Sequence, residues 1–205
     1  WVLNVGDIKP SEYLTELFLD MAWDINLSGC KDGSGVVFSH LGNWLNQTFG
    51  KKTGKELLPL MKDFYLLSHI RKPEFMGNTR TYDKRHEQIA DLPWSTEEIN
   101  ERLEQFKKLS DRVEKLYATV PSNRKEAYFE MIQYPVQASN EMNKKMLYAQ
   151  FARHTPSDSA SLWKKSDAAY DSIVSLTRQF NSLLDGKWNH IISTAPRGLP
   201  VFGKL

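Results

Sequence analysis

The sequence predicts an all-α fold, an antiparallel bundle of about five main helices, preceded by one short strand that belongs to a sheet outside this chain. Three observations carry that expectation. Apolar residues recur at helical spacing, three and four apart, over most of the 205 positions. Two capping boxes, Thr53-Gly-Lys-Glu56 and Ser95-Thr-Glu-Glu98, stand just ahead of such runs. Only Trp1, Val2, Leu3 and Val5 read as β structure, an apolar and partly β-branched run cut off by Gly6-Asp7. A buried strand without a neighbour would leave its N–H and C=O groups unpaired. The sheet it completes is therefore expected elsewhere, and the chain reads as a piece of a larger protein.

After Pro10, Leu14, Leu17, Phe18, Met21, Ala22 and Ile25 draw one apolar stripe on a helix over about 11–26, with Ser11 as N-cap. Residues 28–42 are rich in Gly, Ser and Asp and read as a loop, followed by a short helix over 43–49 that Gly50 ends. Thr53 opens a helix to about Ile70, where Pro59 implies a kink or a later start. Residues 73–94 lack periodicity and form the longest irregular segment. Ser95 opens a helix whose stripe is Ile99, Leu103, Phe106, Leu109, Val113, Leu116 and Tyr117, ended by Pro121. A fourth helical region covers 123–154, with Pro135 kinking it near Tyr134. A fifth runs over 159–184, with Gly186 as its stop. The tail Pro196-Arg-Gly-Leu-Pro-Val-Phe202 reads as extended, turn-rich linker. The expected divisions are 1–27 (last barrel strand and helix), 28–190 (helical bundle) and 191–205 (linker to a following domain).

Composition narrows the function classes. The formal charge of +2 is too small to argue for nucleic acid or an anionic membrane. Its distribution is uneven: residues 1–30 carry five acids and one base, residues 141–205 nine bases and five acids. Solvated helix faces account for that pattern. No apolar run approaches the roughly 20 residues of a membrane span. The single cysteine, Cys30, excludes an intramolecular disulfide. None of the five histidines stands at zinc-site spacing, and the sequence has no G-x-S-x-G, phosphate loop or G-x-G-x-x-G. No cofactor is called for. Asn26-Leu-Ser and Asn46-Gln-Thr match the glycosylation sequon, which has meaning only in a secretory setting.

One constellation remains, Asn4, Gly6-Asp7 and Lys9. If 1–5 is a barrel strand, these residues stand at its C-terminal end, where barrel enzymes place their sites. Asn4 offers a donor and an acceptor to a sugar hydroxyl or carboxylate. The competing reading is structural, with Asp7 capping the next helix and Lys9 solvated. Glu74 and Glu87, in the irregular segment, read as surface residues.

Trp1-Val-Leu-Asn-Val-Gly-Asp-Ile-Lys-Pro10, followed by Phe18-Leu-Asp-Met-Ala-Trp-Asp24, resembles glycoside hydrolase family 115. Phe49-Gly50, Arg71-Lys-Pro-Glu74, Ala127-Tyr-Phe-Glu-Met-Ile-Gln-Tyr-Pro-Val136 and Gly186-Lys-Trp-Asn-His190 are similar to later blocks of that family. The resemblance implies an α-glucuronidase that removes (4-O-methyl)glucuronic acid side chains from xylan by inverting hydrolysis. It implies an α/β domain, a barrel, a helical bundle and a β-rich domain, of which this chain holds the barrel's end and the bundle. The general acid and base would lie upstream, so no catalytic residue is assigned here. Asn4, Asp7 and Lys9 are the substrate-binding candidates. The partners so implied are glucuronoxylan or its oligosaccharides, the upstream barrel and a possible homodimer, and the location is secreted or periplasmic. The alternative is a free-standing helical interaction module without enzymatic activity; a weaker third is carbohydrate binding through exposed Trp44 or Trp94.

Overall fold

A computed structural model describes residues 2–5, 8–28, 33–77 and 89–205. Trp1, Gly6, Asp7, Cys30, His86 and Glu87, named above, lie outside the described residues. Regular structure among those described is helical: α1 (Glu12–Trp23), α2 (Ile25–Ser28), α3 (Gly33–Phe49), α4 (Lys51–Ile70), α5 (Thr96–Tyr117), α6 (Lys125–Tyr128), a π-helical turn Phe129–Gln133, α7 (Tyr134–His154) and α8 (Ser159–Gly186). No strand occurs among the described residues, and 2–5 carry no regular structure. A strand is defined by its ladder, and none is assigned to residues 2–5 among the described residues. Their burial nevertheless alternates: Leu3 and Val5 are half-buried, Val2 and Asn4 exposed.

The chain divides into two compact units, Trp1–Asp63 with Arg112–Pro135, and Phe64–Asp111 with Val136–Leu205. In the first unit, α3 begins ten residues earlier than the glycines of 28–42 imply. Leu41, Trp44, Leu45 and Phe49 are buried at helical spacing, and tertiary packing outweighs the weak propensity of Gly35 and Gly42. Gly50, at φ +87°, ends α3, and α4 starts directly at Lys51. Thr53 therefore falls inside the first turn of α4 rather than at its cap, and the expected Thr53–Glu56 box does not set the start. A side chain on Gly54 would put its Cβ 2.4 Å from Asn46 Oδ1 and 2.8 Å from Asn46 N. That glycine serves a close helix approach, not a cap. Pro59 lies exposed within α4, which runs through it, so it neither breaks nor delays the helix.

The α1 stripe is another departure. Only Tyr13 of α1 is buried, while Leu14 and Leu19 are about half exposed and Trp23 is 93% exposed. Ser11 stands at the N-cap but makes no side-chain capping bond.

In the second unit the expectations hold more closely. The Ser95–Glu98 box forms reciprocally: Glu98 N–H donates to Ser95 Oγ (3.2 Å) and Ser95 N–H to Glu98 Oε2 (2.7 Å). The core gathers Met76, Leu92, Ile99, Met142, Met146, Leu147 and Val201. The tail is turn-rich as expected, but packed rather than extended, with 3₁₀ turns at Pro196–Gly198 and Pro200–Phe202. Lys145, with no exposed surface, donates from Nζ to the carbonyls of Val201 (2.6 Å) and Gly203 (2.8 Å). Arg102, also buried, donates to Asn143 Oδ1 and to the carbonyls of Leu67 and Arg71. The Leu67 carbonyl also accepts the Arg71 N–H (3.3 Å), and the Arg71 carbonyl stands just past the end of α4. Gln150 closes both backbone groups of Leu92 with its side-chain amide. Helix α8 ends where Leu184, Asp185 and Gly186 all take positive φ.

Two outcomes are expected. Ser95→Ala removes one half of the α5 box and lowers unfolding free energy by about 1 kcal/mol in urea titration. Burial pulls the Lys145 ammonium down to about 8 from 10.5. Between those values the unfolded chain holds the extra proton, so the Lys145 contribution becomes more favourable as pH rises from about 8 to 10.5. Denaturation of wild type and Lys145→Met across that range shows this slope in the difference between the two.

Candidate functional site at the start of helix α1

The segment around Asn4 to Ser11 leads into α1 through a turn at Lys9-Pro10. Ser11 N–H donates to the Ile8 carbonyl at 3.1 Å, and Thr15 N–H to Ser11 O at 2.9 Å, so the turn runs straight into the helix. Lys9 points inward, its side chain 14% exposed. Its Nζ lies 2.5 Å from Glu12 Oε1, one turn along, and 2.5 Å from Glu130 Oε1 on the π turn. Glu130 is itself buried.

The π turn has a local cause. Pro135 has no N–H to give the carbonyl four residues back, that of Met131, and the backbone widens just ahead of it. The disturbance expected near Tyr134 is this turn, and Glu130 sits in it. A run of rings braces the same segment. Tyr13 stands 5.2 Å from Trp44, Trp44 lies edge-on to Phe49 at 6.2 Å, and Phe49 edge-on to Tyr128 at 5.6 Å. Tyr128 is fully buried and donates its hydroxyl to Val113 O at 2.7 Å. Trp44 Nε1 donates to Glu16 at 3.0 Å, and His40 Nε2 pairs with Asp20 at 2.9 Å, which ties α1 to α3. Trp44 is 8% exposed, so it is a core residue rather than a sugar platform.

The electrostatics follow from two carboxylates meeting one ammonium. Burial, then a hydrogen bond shared with Glu12, pushes the Glu130 carboxyl up to about 7, against the opposing pull of Lys9. Burial draws Lys9 down, but its bonds to Glu12 and Glu130 outweigh that and leave it raised. Burial, with the charge of Glu16, lifts Tyr13 to about 12. Near neutral pH the Glu130 carboxyl is thus partly protonated, with Lys9 charged beside it.

Of the three residues singled out in the sequence, Asn4 is exposed just before the turn, Lys9 is held inside it, and Asp7 is outside the described residues. Glu12 and Glu130 were not singled out. The signal for Glu130 is an acid inside the apolar run Tyr128-Phe-Glu-Met-Ile, five residues before a proline. Glu74 has its backbone in the 3₁₀ turn Pro73–Phe75. Among the described residues no group of three or more His, Cys, Asp or Glu is placed to hold a metal ion. No helix among them is long and apolar enough to cross a membrane.

Glu130 has an expected signature. Its folded value lies above the unfolded 4.5, so its contribution is fully present below about 4.5 and is lost as pH rises through about 7. Glu130→Gln removes that dependence: the melting-temperature difference, variant minus wild type, rises between pH 4.5 and 7 in a thermal-denaturation series.

Comparison with known proteins adds two findings. The family model described as Glycosyl hydrolase family 115 matches residues 1–75. A solved structure of a family GH115 4-O-methyl-α-glucuronidase, BtGH115A, with specificity for decorated arabinogalactans, is 52% identical and superposes with a TM-score of 0.91. The match covers 100% of this chain and 26% of that one, so the chain spans about a quarter of that relative's length. No match occurs among curated protein sequences. On these findings the chain is similar to glycosyl hydrolase family 115 over residues 1–75 and to part of one member of that family along its whole length.

Proposed function

We propose that this chain completes and supports the active site of a glycoside hydrolase that removes (4-O-methyl)glucuronic acid side chains from a plant polysaccharide. The observation that carries the reading is the surface around residues 2–23. Val2 is 97% exposed, Trp23 93%, and Ile8, Leu14 and Leu19 between 52% and 59%. Exposed apolar side chains close together along one stretch of chain mark a surface that another body covers. A preceding barrel, with 1–27 as its last strand and helix, is the body that fits. Residues 28–190 would then be the supporting bundle and 191–205 the lead into a following domain.

On this reading Val2 and Asn4 share the face turned toward the barrel interior, and Leu3 and Val5 face the helices. Asn4 then meets the sugar at the strand's C-terminal end, donating from its amide N–H and accepting at its carbonyl. Asp7 is the second substrate-binding candidate by sequence, and Lys9 belongs to the turn that leads into α1. The reaction is inverting hydrolysis. One carboxylic acid from the barrel protonates the leaving glycosidic oxygen. A carboxylate on the opposite face takes a proton from water, which attacks the anomeric carbon, the pair standing roughly 6.5–9.5 Å apart. Such a polymer substrate places the enzyme outside the cytoplasm, secreted or periplasmic.

The polysaccharide is open between two backbones. Glucuronoxylan is the substrate implied by the sequence resemblance, and decorated arabinogalactan is what the solved relative is described as preferring. The full-length gene product is expected to release (4-O-methyl)glucuronic acid from one of them, with the anomer inverted in a proton NMR time course. Asn4→Ala is expected to lower kcat/KM by about ten-fold or more, the weight of one or two buried hydrogen bonds. Release from neither polymer overturns the reading in favour of a non-enzymatic interaction module, and an unchanged Asn4→Ala removes Asn4 from the site.

A further inference from the structure

We infer that Glu130, contributed by the helical part of the chain, is a positioning residue for the hydrolase site, holding Lys9 and through it the Lys9-Pro10 turn that follows the Asn4 segment. The inference rests on the function proposed above. Lys9 is gripped from two sides, by Glu12 on the first turn of α1 and by Glu130 on the π turn, at 2.5 Å each. Charged hydrogen bonds of this kind are the strong ones, and two of them fix an otherwise flexible side chain at its tip. With Nζ anchored and Ser11 N–H bonded to the Ile8 carbonyl, the backbone from 8 to 11 has little freedom.

A stability role does not explain this arrangement well. A buried ion pair is weak evidence for stability, since apolar groups of the same volume often do as well. Here two carboxylates meet one ammonium, and Glu130 occupies a π turn, a backbone form that recurs at functional sites. The excess negative charge fits the raised Glu130 carboxyl, which stays partly protonated so that both glutamates can share one ammonium. What the arrangement secures is direction. Lys9 is kept off solvent and off any anionic substrate, and the turn is set at one height relative to Tyr128 and Phe129, whose rings are locked in the core.

The test uses the full-length protein on the polysaccharide that the wild type cleaves. Glu130→Gln, Lys9→Met and the double variant are compared for kcat, KM and melting temperature. A positioning role lowers kcat about ten-fold or more in each single variant while KM stays within about two-fold, because the loss falls on the transition state. The double variant is then no worse than the poorer single one, since both break one contact. Lys9→Arg keeps the charge but not the compact ammonium, and is expected to fold and still lose kcat; it serves where Glu130→Gln does not fold. Asp91→Asn, which breaks the Arg153 and His154 pairs in the other unit, is the control that changes melting temperature alone. Wild-type kcat in folded Glu130→Gln or Lys9→Arg, or additive losses in the double variant, overturns the inference. A wild type that releases no uronic acid fails at the earlier step, and removes the basis for the inference with it.

Discussion

The first unit of this protein depends on one ammonium held between two carboxylates. Lys9 brings the start of α1 and the π turn before α7 to a common point, and everything that carries candidate chemistry lies within a few residues of it. Such a cluster survives only where its surroundings are fixed, because an ion removed from water tolerates no slack in its partners. The ring series from Tyr13 through Trp44 and Phe49 to Tyr128 supplies that stiffness. The hydroxyl of Tyr128 is itself spent on a backbone carbonyl, so the ladder is satisfied at its far end. The electrostatic cluster and the aromatic core are therefore one design: the rings set distances, and the charges use them.

The second unit uses charge differently. Arg102 and Lys145 are buried with no ion pair to a carboxylate among the described residues; Lys145 donates to two backbone carbonyls, and Arg102 to two carbonyls and the Asn143 amide oxygen. These acceptors lie where the chain leaves regular structure, at the end of α4 and in the tail. A long cationic side chain with several donors reaches more than one carbonyl at once. Gln150 does the same for Leu92 with a neutral amide. Irregular backbone is thus stitched to helices by side chains, in place of strands.

The sequence is legible where periodicity and capping agree. Residues 95–117 carry both, and α5 forms there with its reciprocal box intact. Where the signals conflict, packing decides. Glycines between 28 and 42 read as loop, yet Leu41 and Trp44 find a core and α3 extends back to Gly33. Thr53-Gly-Lys-Glu56 has the letters of a box, yet Gly54 is there to let α3 and α4 approach. The residues of α1 draw an apolar stripe, and most of it is not buried within this chain. Periodicity reports that a face is meant to be covered, not what covers it. Asn4, Asp7 and Lys9 were visible through the motif they share with a family. Glu130 was not, because its partner is remote in sequence and only the fold brings the two together.

In the proposed enzyme, the Lys9–Glu130 contact joins the helical region to the sugar site. A crystal structure of the full-length protein with glucuronic acid bound tests that most directly. The expected result is the sugar against Asn4, with Lys9 Nζ still within hydrogen-bond distance of Glu12 and Glu130. A uronate carboxylate seated on Lys9, with Glu130 turned away, or a sugar bound far from residues 4–9, contradicts it.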